Sequence, residues 1–254
     1  SEQVYDWLIR PIETELAASG VKTLVFVPDG AFRNVPMSSL YNGQQYLIEK
    51  YAIALTPGLQ LLEPRSLGEI KLQALTAGLS ESRQGFSPLP AVEFELNQIQ
   101  SQLPTQMLLN EDFTRTKIQA KLDRGNFPVV HFATHGQFSS KADDTFILTW
   151  DGEINVKELN EFLASTQTPG KNSQSKQRTP IELLVFSACE TAAGDDRAAL
   201  GLAGMAVRSG ARSTIAALWA VKDEATARFM VEFYRILSTE PGISKAEALR
   251  QAQL

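Results

Sequence analysis

The chain has 254 residues and carries 24 Lys and Arg against 29 Asp and Glu, a formal charge of −5 at pH 7. That acidic balance argues against nucleic acid as the main partner, because phosphate binding needs clustered Lys and Arg. No apolar run approaches the ~20 residues of a membrane-spanning helix, no basic start leads into a secretory apolar block, and one cysteine cannot close an internal disulfide, so a cytoplasmic protein without a membrane partner is expected.

In chain order, residues 4–18 put Trp7, Leu8, Ile12 and Leu16 on one helical face, divided or kinked by Pro11 and stopped by Gly20. TLVFVPDG (23–30) reads as a buried strand ending in a Pro-Asp-Gly turn, and 31–41 as a loop. One or two strands fall in 46–58, a short helix in 59–66, and a parallel-type strand in 72–80. The turn-rich stretch 81–90 precedes a helix over 91–103, with Val92, Leu96, Ile99 and Leu103 at helical spacing. A short strand at 106–110 and a helix capped by Thr114 lead to a strand at 128–134. FILTWDGEINV (146–156) reads as a hairpin turning at Asp151-Gly152, followed by a helix over 157–164. Residues 165–180 contain no large apolar side chain and read as a flexible insert. A strand at 182–187, a Gly/Ala-rich helix at 200–210, a strand at 213–221 and an amphipathic helix at 222–238 follow. A last helix opens at Ser244 with Glu247 as a capping-box partner. There is no internal repeat, and strands alternating with helices imply a mostly parallel sheet with helices on both faces. The chain starts at Ser1 inside an amphipathic pattern and stops within a helical one, so it is read as a single domain over 1–254, a fragment of a longer protein.

Two of the strands end in reactive side chains. PVVHFATHG (128–136) carries His135 and IELLVFSACE (181–190) carries Cys189, the only cysteine. Parallel strands deliver their carboxyl ends to one sheet edge, where open α/β folds bind ligands. An imidazole there can take the proton of a thiol, which is a poor nucleophile until ionised. Acyl transfer also needs oxyanion donors, for which the N–H groups of Gly136 and Cys189 are candidates. The competing reading is that a lone cysteine at a strand end is a small buried apolar group.

VVHFATHG, then LLVFSACETAAG, then GLAGMAVRSGARSTIAALWAVKD with a helix ending in FYRIL, together with the N-terminal LVFVPDGAFRNVPMSSLYNGQQYLIEKYAIALTPGL, resemble the CHAT domain. This is a family of caspase-like cysteine peptidases related to separase and the metacaspases. The resemblance spans nearly the whole chain. It implies a caspase-like three-layer α/β sandwich, a His-Cys dyad at His135 and Cys189, and an origin beside tetratricopeptide repeats. The family's aromatic-rich final strand has no counterpart before Leu254.

Other residues have two readings each. His131 lies four before His135; on a strand the two are about 13 Å apart, too far to share a metal, so it reads as a packed or supporting residue. Asp223, after Trp219 and Lys222, either selects a basic side chain beside the scissile bond or caps the helix that starts there. Asp29 is a second pocket candidate or simply a good turn residue. Glu190 points to solvent or pairs with an arginine, and Asp195, Asp196 and Arg197 form a charged loop beside the cysteine that shapes the cleft, serves in activation or is a solvated turn. Gly201, Gly204 and Gly210 do not match a phosphate cradle, which removes the main support for a nucleotide enzyme. The expected function is a cysteine endopeptidase acting on protein or peptide substrates, without metal or cofactor, regulated by a repeat domain or partner. The alternative is a latent or silent interaction module on the same fold.

Overall fold

The computed structural model describes residues 1–56, 58, 67, 72–139, 144–165, 180–187, 210–217 and 221–254. The helix expected at 59–66, most of the insert 165–180, the segment 191–199 and all but Gly210 of the helix expected at 200–210 lie outside the described residues.

The first layer of structure is local. Helix α1 (Glu2–Leu8) runs through a tight turn at Arg10–Ile12 into α2 (Glu13–Ser19), which Gly20 closes at φ +65°. Trp7 and Ile12 are 60% and 46% exposed, against the expected apolar face, and Tyr5 and Ile9 are buried instead. Trp7 lies about 200° round the helix from both Tyr5 and Ile9, and Pro11, which cannot donate to the helical ladder, breaks the stripe before Ile12. Strands β1 (Thr23–Phe26) and β2 (Ala52–Leu55) pair parallel as a separate two-stranded unit. Leu24, Phe26 and Ile53 pack against Tyr5, Ile9, Met37, Leu40 and Leu47. Val25 is 55% exposed, so β1 is not the doubly buried strand its apolar run suggests. Part of the region expected as strand is instead the short helix α3 (Leu47–Lys50), whose Glu49 carboxylate accepts from the Tyr46 N–H.

The central sheet has five strands, all parallel: β3 (Ala74–Gly78), β4 (Thr105–Leu109), β5 (Val129–Ala133), β9 (Leu183–Phe186) and β10 (Thr214–Ala216). Their spatial order is β10-β9-β5-β3-β4, with β5 in the middle. In sequence, β5 and β9 are separated by an antiparallel three-stranded sheet of β6 (Gly136–Gln137), β7 (Phe146–Thr149) and β8 (Gly152–Asn155). Thr149 pairs with Gly152, so the hairpin turns at Trp150-Asp151, one residue before the expected place.

Side-chain alternation divides the core into two. Leu75, Ala77, Val130, Phe132, Leu184 and Phe186 face α5 (Arg115–Arg124) and α6 (Val156–Ser165) through Ile118, Leu122, Leu159 and Leu163. Ala74, Val129, Leu183 and Val185 face α4 (Ala91–Gln102), α7 (Asp223–Thr239) and α8 (Lys245–Gln253). The inward residues expected for α7 (Ala227, Met230, Phe233, Tyr234 and Leu237) are all buried. Ser244 caps α8 by accepting from the Glu247 N–H at 3.1 Å. Arg250 on α8 reaches back to the start of the chain, donating to the carbonyls of Ile48 at 2.7 Å and Glu49 at 2.6 Å.

The α4/α7 face also seals in a polar group. His131 on β5, Glu95 on α4 and Tyr234 on α7 are all fully buried. His131 Nε2 is 2.8 Å from Glu95 Oε1, and His131 Nδ1 is 3.1 Å from the Tyr234 hydroxyl. Burial, then the nearby Glu95 charge, pushes the Tyr234 pKa up, so its O–H stays neutral and donates. Nδ1 is then the acceptor, and Nε2 carries the proton beside the carboxylate, out of line for a hydrogen bond. Removing one partner leaves a buried polar atom unmatched, which costs about 1–3 kcal/mol. Tyr234→Phe is therefore expected to lower unfolding stability by about that amount in urea denaturation.

Candidate active site

The central strand β5 is hydrogen-bonded on both sides, to β3 and to β9. Its register pairs Phe132 with Phe186, and the Ser187 N–H donates to the Phe132 carbonyl at 3.0 Å. The carboxyl ends of β5 and β9 thus leave the sheet side by side. Beyond β5 the chain is pinned again: Thr134 Oγ1 donates to the Leu148 carbonyl at 2.7 Å, and the Leu148 N–H to the His135 carbonyl at 2.8 Å.

His135 is buried, and its Nε2 lies 2.8 Å from the carbonyl oxygen of Ser87. A carbonyl only accepts, so Nε2 carries the proton. In the neutral ring that leaves Nδ1 as the basic nitrogen. The Phe86 ring packs on the imidazole, with centroids 5.0 Å apart and planes 34° apart, and meets Phe146 edge-on.

Residues 80–90 form the holder of this histidine, a role their turn-rich composition did not disclose. The Ser80 N–H donates to Asn110 Oδ1 at 2.9 Å and the Leu89 N–H to the Ser80 carbonyl at 3.0 Å, closing the base of the loop. At its tip, Gln84 and Gly85 both adopt left-handed backbone, φ +49° and +88°, and the Phe86 N–H returns to the Arg83 carbonyl at 2.8 Å. The Arg83 guanidinium lies 3.5 Å from the centroid of a Trp150 ring. Where the loop enters α4, the Ala91 N–H donates to Asp223 Oδ2 at 2.8 Å.

Gly136 opens β6 opposite Ile147. The Leu148-to-His135 bond makes this a non-hydrogen-bonded pair, so the Gly136 N–H is directed away from β7. A Cβ here would stand 3.0 Å from the Phe146 carbonyl oxygen, so the close approach of β7 favours glycine. His131 is a packed residue whose Nδ1 meets the Tyr234 hydroxyl and whose Nε2 lies beside the Glu95 carboxylate. Asp29 sits at the end of β1, away from the central sheet; it accepts from the Gly30 N–H at 2.8 Å and pairs with Arg33 at 2.9 Å. Asp223 does cap a helix, but it is α4 rather than the α7 on which it stands. Cys189, Glu190, Asp195, Asp196, Arg197 and Trp219 lie outside the described residues. Among the described residues there is no group of three His, Cys, Asp or Glu able to hold a metal, and no helix long and apolar enough to cross a membrane.

A five-stranded parallel sheet covered on both faces by helices is consistent with the caspase-like three-layer α/β arrangement. The chain matches the family model of the CHAT domain over residues 1–254 and belongs to that family, which is caspase-like and peptidase-related. No curated protein matches it. Among solved structures, it is similar to protein GSU0716 from Geobacter sulfurreducens, at 14% identity and a TM-score of 0.33, over 50% of this chain and 52% of that one. A likeness spanning about half of each chain at that score carries no weight for function.

Because the contact to His135 is a main-chain carbonyl, Ser87→Ala is expected to leave the imidazole tautomer unchanged. Gly85→Val forces a β-branched residue into left-handed backbone, at a cost of about 1–3 kcal/mol. It is expected to shift the His135 Nε2–H resonance in nitrogen-15 NMR spectra.

Proposed function

We propose that this CHAT domain is a cysteine endopeptidase in which His135 and Cys189 form the catalytic dyad. The observation that carries the reading is the fixed tautomer of His135. Its Nε2–H is committed to the Ser87 carbonyl, which leaves Nδ1 as a base at the carboxyl edge of the sheet. In sequence, Cys189 comes three residues after Phe186 and His135 three after Phe132, and these two positions are paired between β9 and β5.

In this mechanism Nδ1 takes the thiol proton and the thiolate sulfur attacks the peptide carbonyl carbon. The negative charge that forms on the carbonyl oxygen is met by the N–H groups of Gly136 and Cys189. The imidazolium returns its proton to the leaving amine, which departs as the C–N bond breaks. Water, deprotonated by the same imidazole, then hydrolyses the thioester. The Ser87 carbonyl stabilises the imidazolium through Nε2–H, the part that a carboxylate or amide plays in three-residue sites. Substrates are proteins or peptides, with Trp219 near the chain they occupy, and a cytoplasmic setting fits the free thiol. Regulation by a repeat domain or partner protein belongs to the same proposal.

One observation favours a latent module instead: His135 is buried and covered by Phe86. Labelling with a thiol-directed peptide electrophile separates the two. For an enzyme, Cys189 is modified quickly. His135→Ala then slows labelling by a factor of about 10²–10⁴, the usual contribution of a general base. Cys189→Ala abolishes both labelling and cleavage. Parent-rate labelling in His135→Ala overturns the dyad, and an unlabelled parent supports the latent reading.

A further inference from the structure

The carboxylate of Asp223 joins two elements that are 132 positions apart in sequence. It stands in the first turn of α7, a 17-residue helix anchored in the core by Met230, Phe233, Tyr234 and Leu237. It accepts from the Ala91 N–H, the first amide of α4, and lies close to the positive ends of both helices. Only Pro88, Leu89 and Pro90 separate Ala91 from Ser87. Both prolines have their φ angles locked by the ring, and the Leu89 N–H is tied to the Ser80 carbonyl. A displacement at Ala91 has little slack to absorb it before it reaches the Ser87 carbonyl, and with it His135.

We propose that Asp223 is a positioning residue: by clamping the start of α4 onto α7 it holds the Ser87 carbonyl against Nε2 of His135. The kinetic part of this inference rests on the endopeptidase reading; the structural part does not. The carboxylate oxygen that meets Ala91 is engaged, and the helix carrying it is packed into the core. The role assigned to Asp223 is therefore internal to the protein, in contrast to a pocket acid that recognises a basic substrate side chain.

The two roles respond differently to an isosteric change. In Asp223→Asn the amide oxygen still accepts from the Ala91 N–H, but the charge is gone. In Asp223→Ala both are lost. Two readouts are taken on each variant: the imidazole nitrogen-15 spectrum and the rate of Cys189 labelling by peptide electrophiles ending in Lys or in Leu. The chain has two histidines, so His131, sealed by Glu95 and Tyr234, serves as the internal control for the fold.

Asp223→Ala is expected to turn His135 into a mixture of tautomers while His131 stays put. It is also expected to slow labelling about tenfold for both peptides, as a modest misplacement of a catalytic base does. Asp223→Asn is expected to keep the parent tautomer and stay within about twofold of the parent rate. The proposal is overturned if His135 is unmoved in Asp223→Ala, or if Asp223→Asn behaves like Asp223→Ala. It is also overturned if His131 shifts together with His135, which marks a general loss of structure. Selective loss of the Lys-ending peptide in both variants, with His135 unmoved, assigns the residue to a substrate pocket instead. If the parent is not labelled at all, the endopeptidase reading fails, and the His135 spectrum still decides the clamp. Should Asp223→Ala not fold, Asp223→Glu keeps the charge and moves the oxygens by one methylene; the clamp then requires a shifted His135 signal, and an unshifted one overturns it.

Discussion

The structure depends on β5 being paired along both edges. A strand at the centre of a parallel sheet has no free backbone on either side, and its register is enforced from β3 and from β9 at once. His131 and His135 lie at fixed places along and just beyond that strand, and their different fates follow from it. His131 projects into the layer between the sheet and the α4/α7 pair, where the Tyr234 hydroxyl meets Nδ1 and the Glu95 carboxylate stands beside Nε2. His135 has passed the end of the sheet, and meets a main-chain carbonyl and an aromatic ring instead. A slip of one residue would exchange the two faces and leave several buried polar atoms unmatched.

The edge of the sheet holds a histidine whose tautomer is set by the fold rather than by another side chain. Fixing Nε2–H with a carbonyl requires the loop that bears it to be as rigid as a secondary-structure element. The loop at 80–90 achieves this with short-range devices: an Asn110 side chain at its base, a left-handed turn at its tip, a guanidinium laid on Trp150 and two prolines before α4. Two of these devices belong to the loop and two, Asn110 and Trp150, come from elsewhere in the domain, so the histidine is located by the assembled fold.

Much of this was legible in the chain. The apolar runs at 74–78, 129–133 and 183–186 announced strands buried on both faces, and the spacing of Met230, Phe233, Tyr234 and Leu237 announced the inner face of α7. The same logic misled at β1, since a four-residue apolar run looks alike whether one face is covered or two. It misled again at Trp7, which lies on the side of α1 opposite Tyr5 and Ile9, and at Ile12, which follows the break at Pro11. The Ser87 contact left no trace in the sequence, because every residue carries the same carbonyl. Asp223 was half legible: its type signals a cap, but only the packing of α4 beside α7 reveals which helix it serves. Cys189 lies outside the described residues, and its chemistry is carried by the proposal.

The two carbonyls that Arg250 holds, those of Ile48 and Glu49, belong to the first fifth of the chain, and the arginine is separated from them by about two hundred residues. Loop closure over that distance is slow and rewards nothing until both ends are present. During synthesis the β1–β2 unit emerges long before its last anchor is made. A two-stranded unit is marginal by itself, so its docking is complete only once α8 has been made.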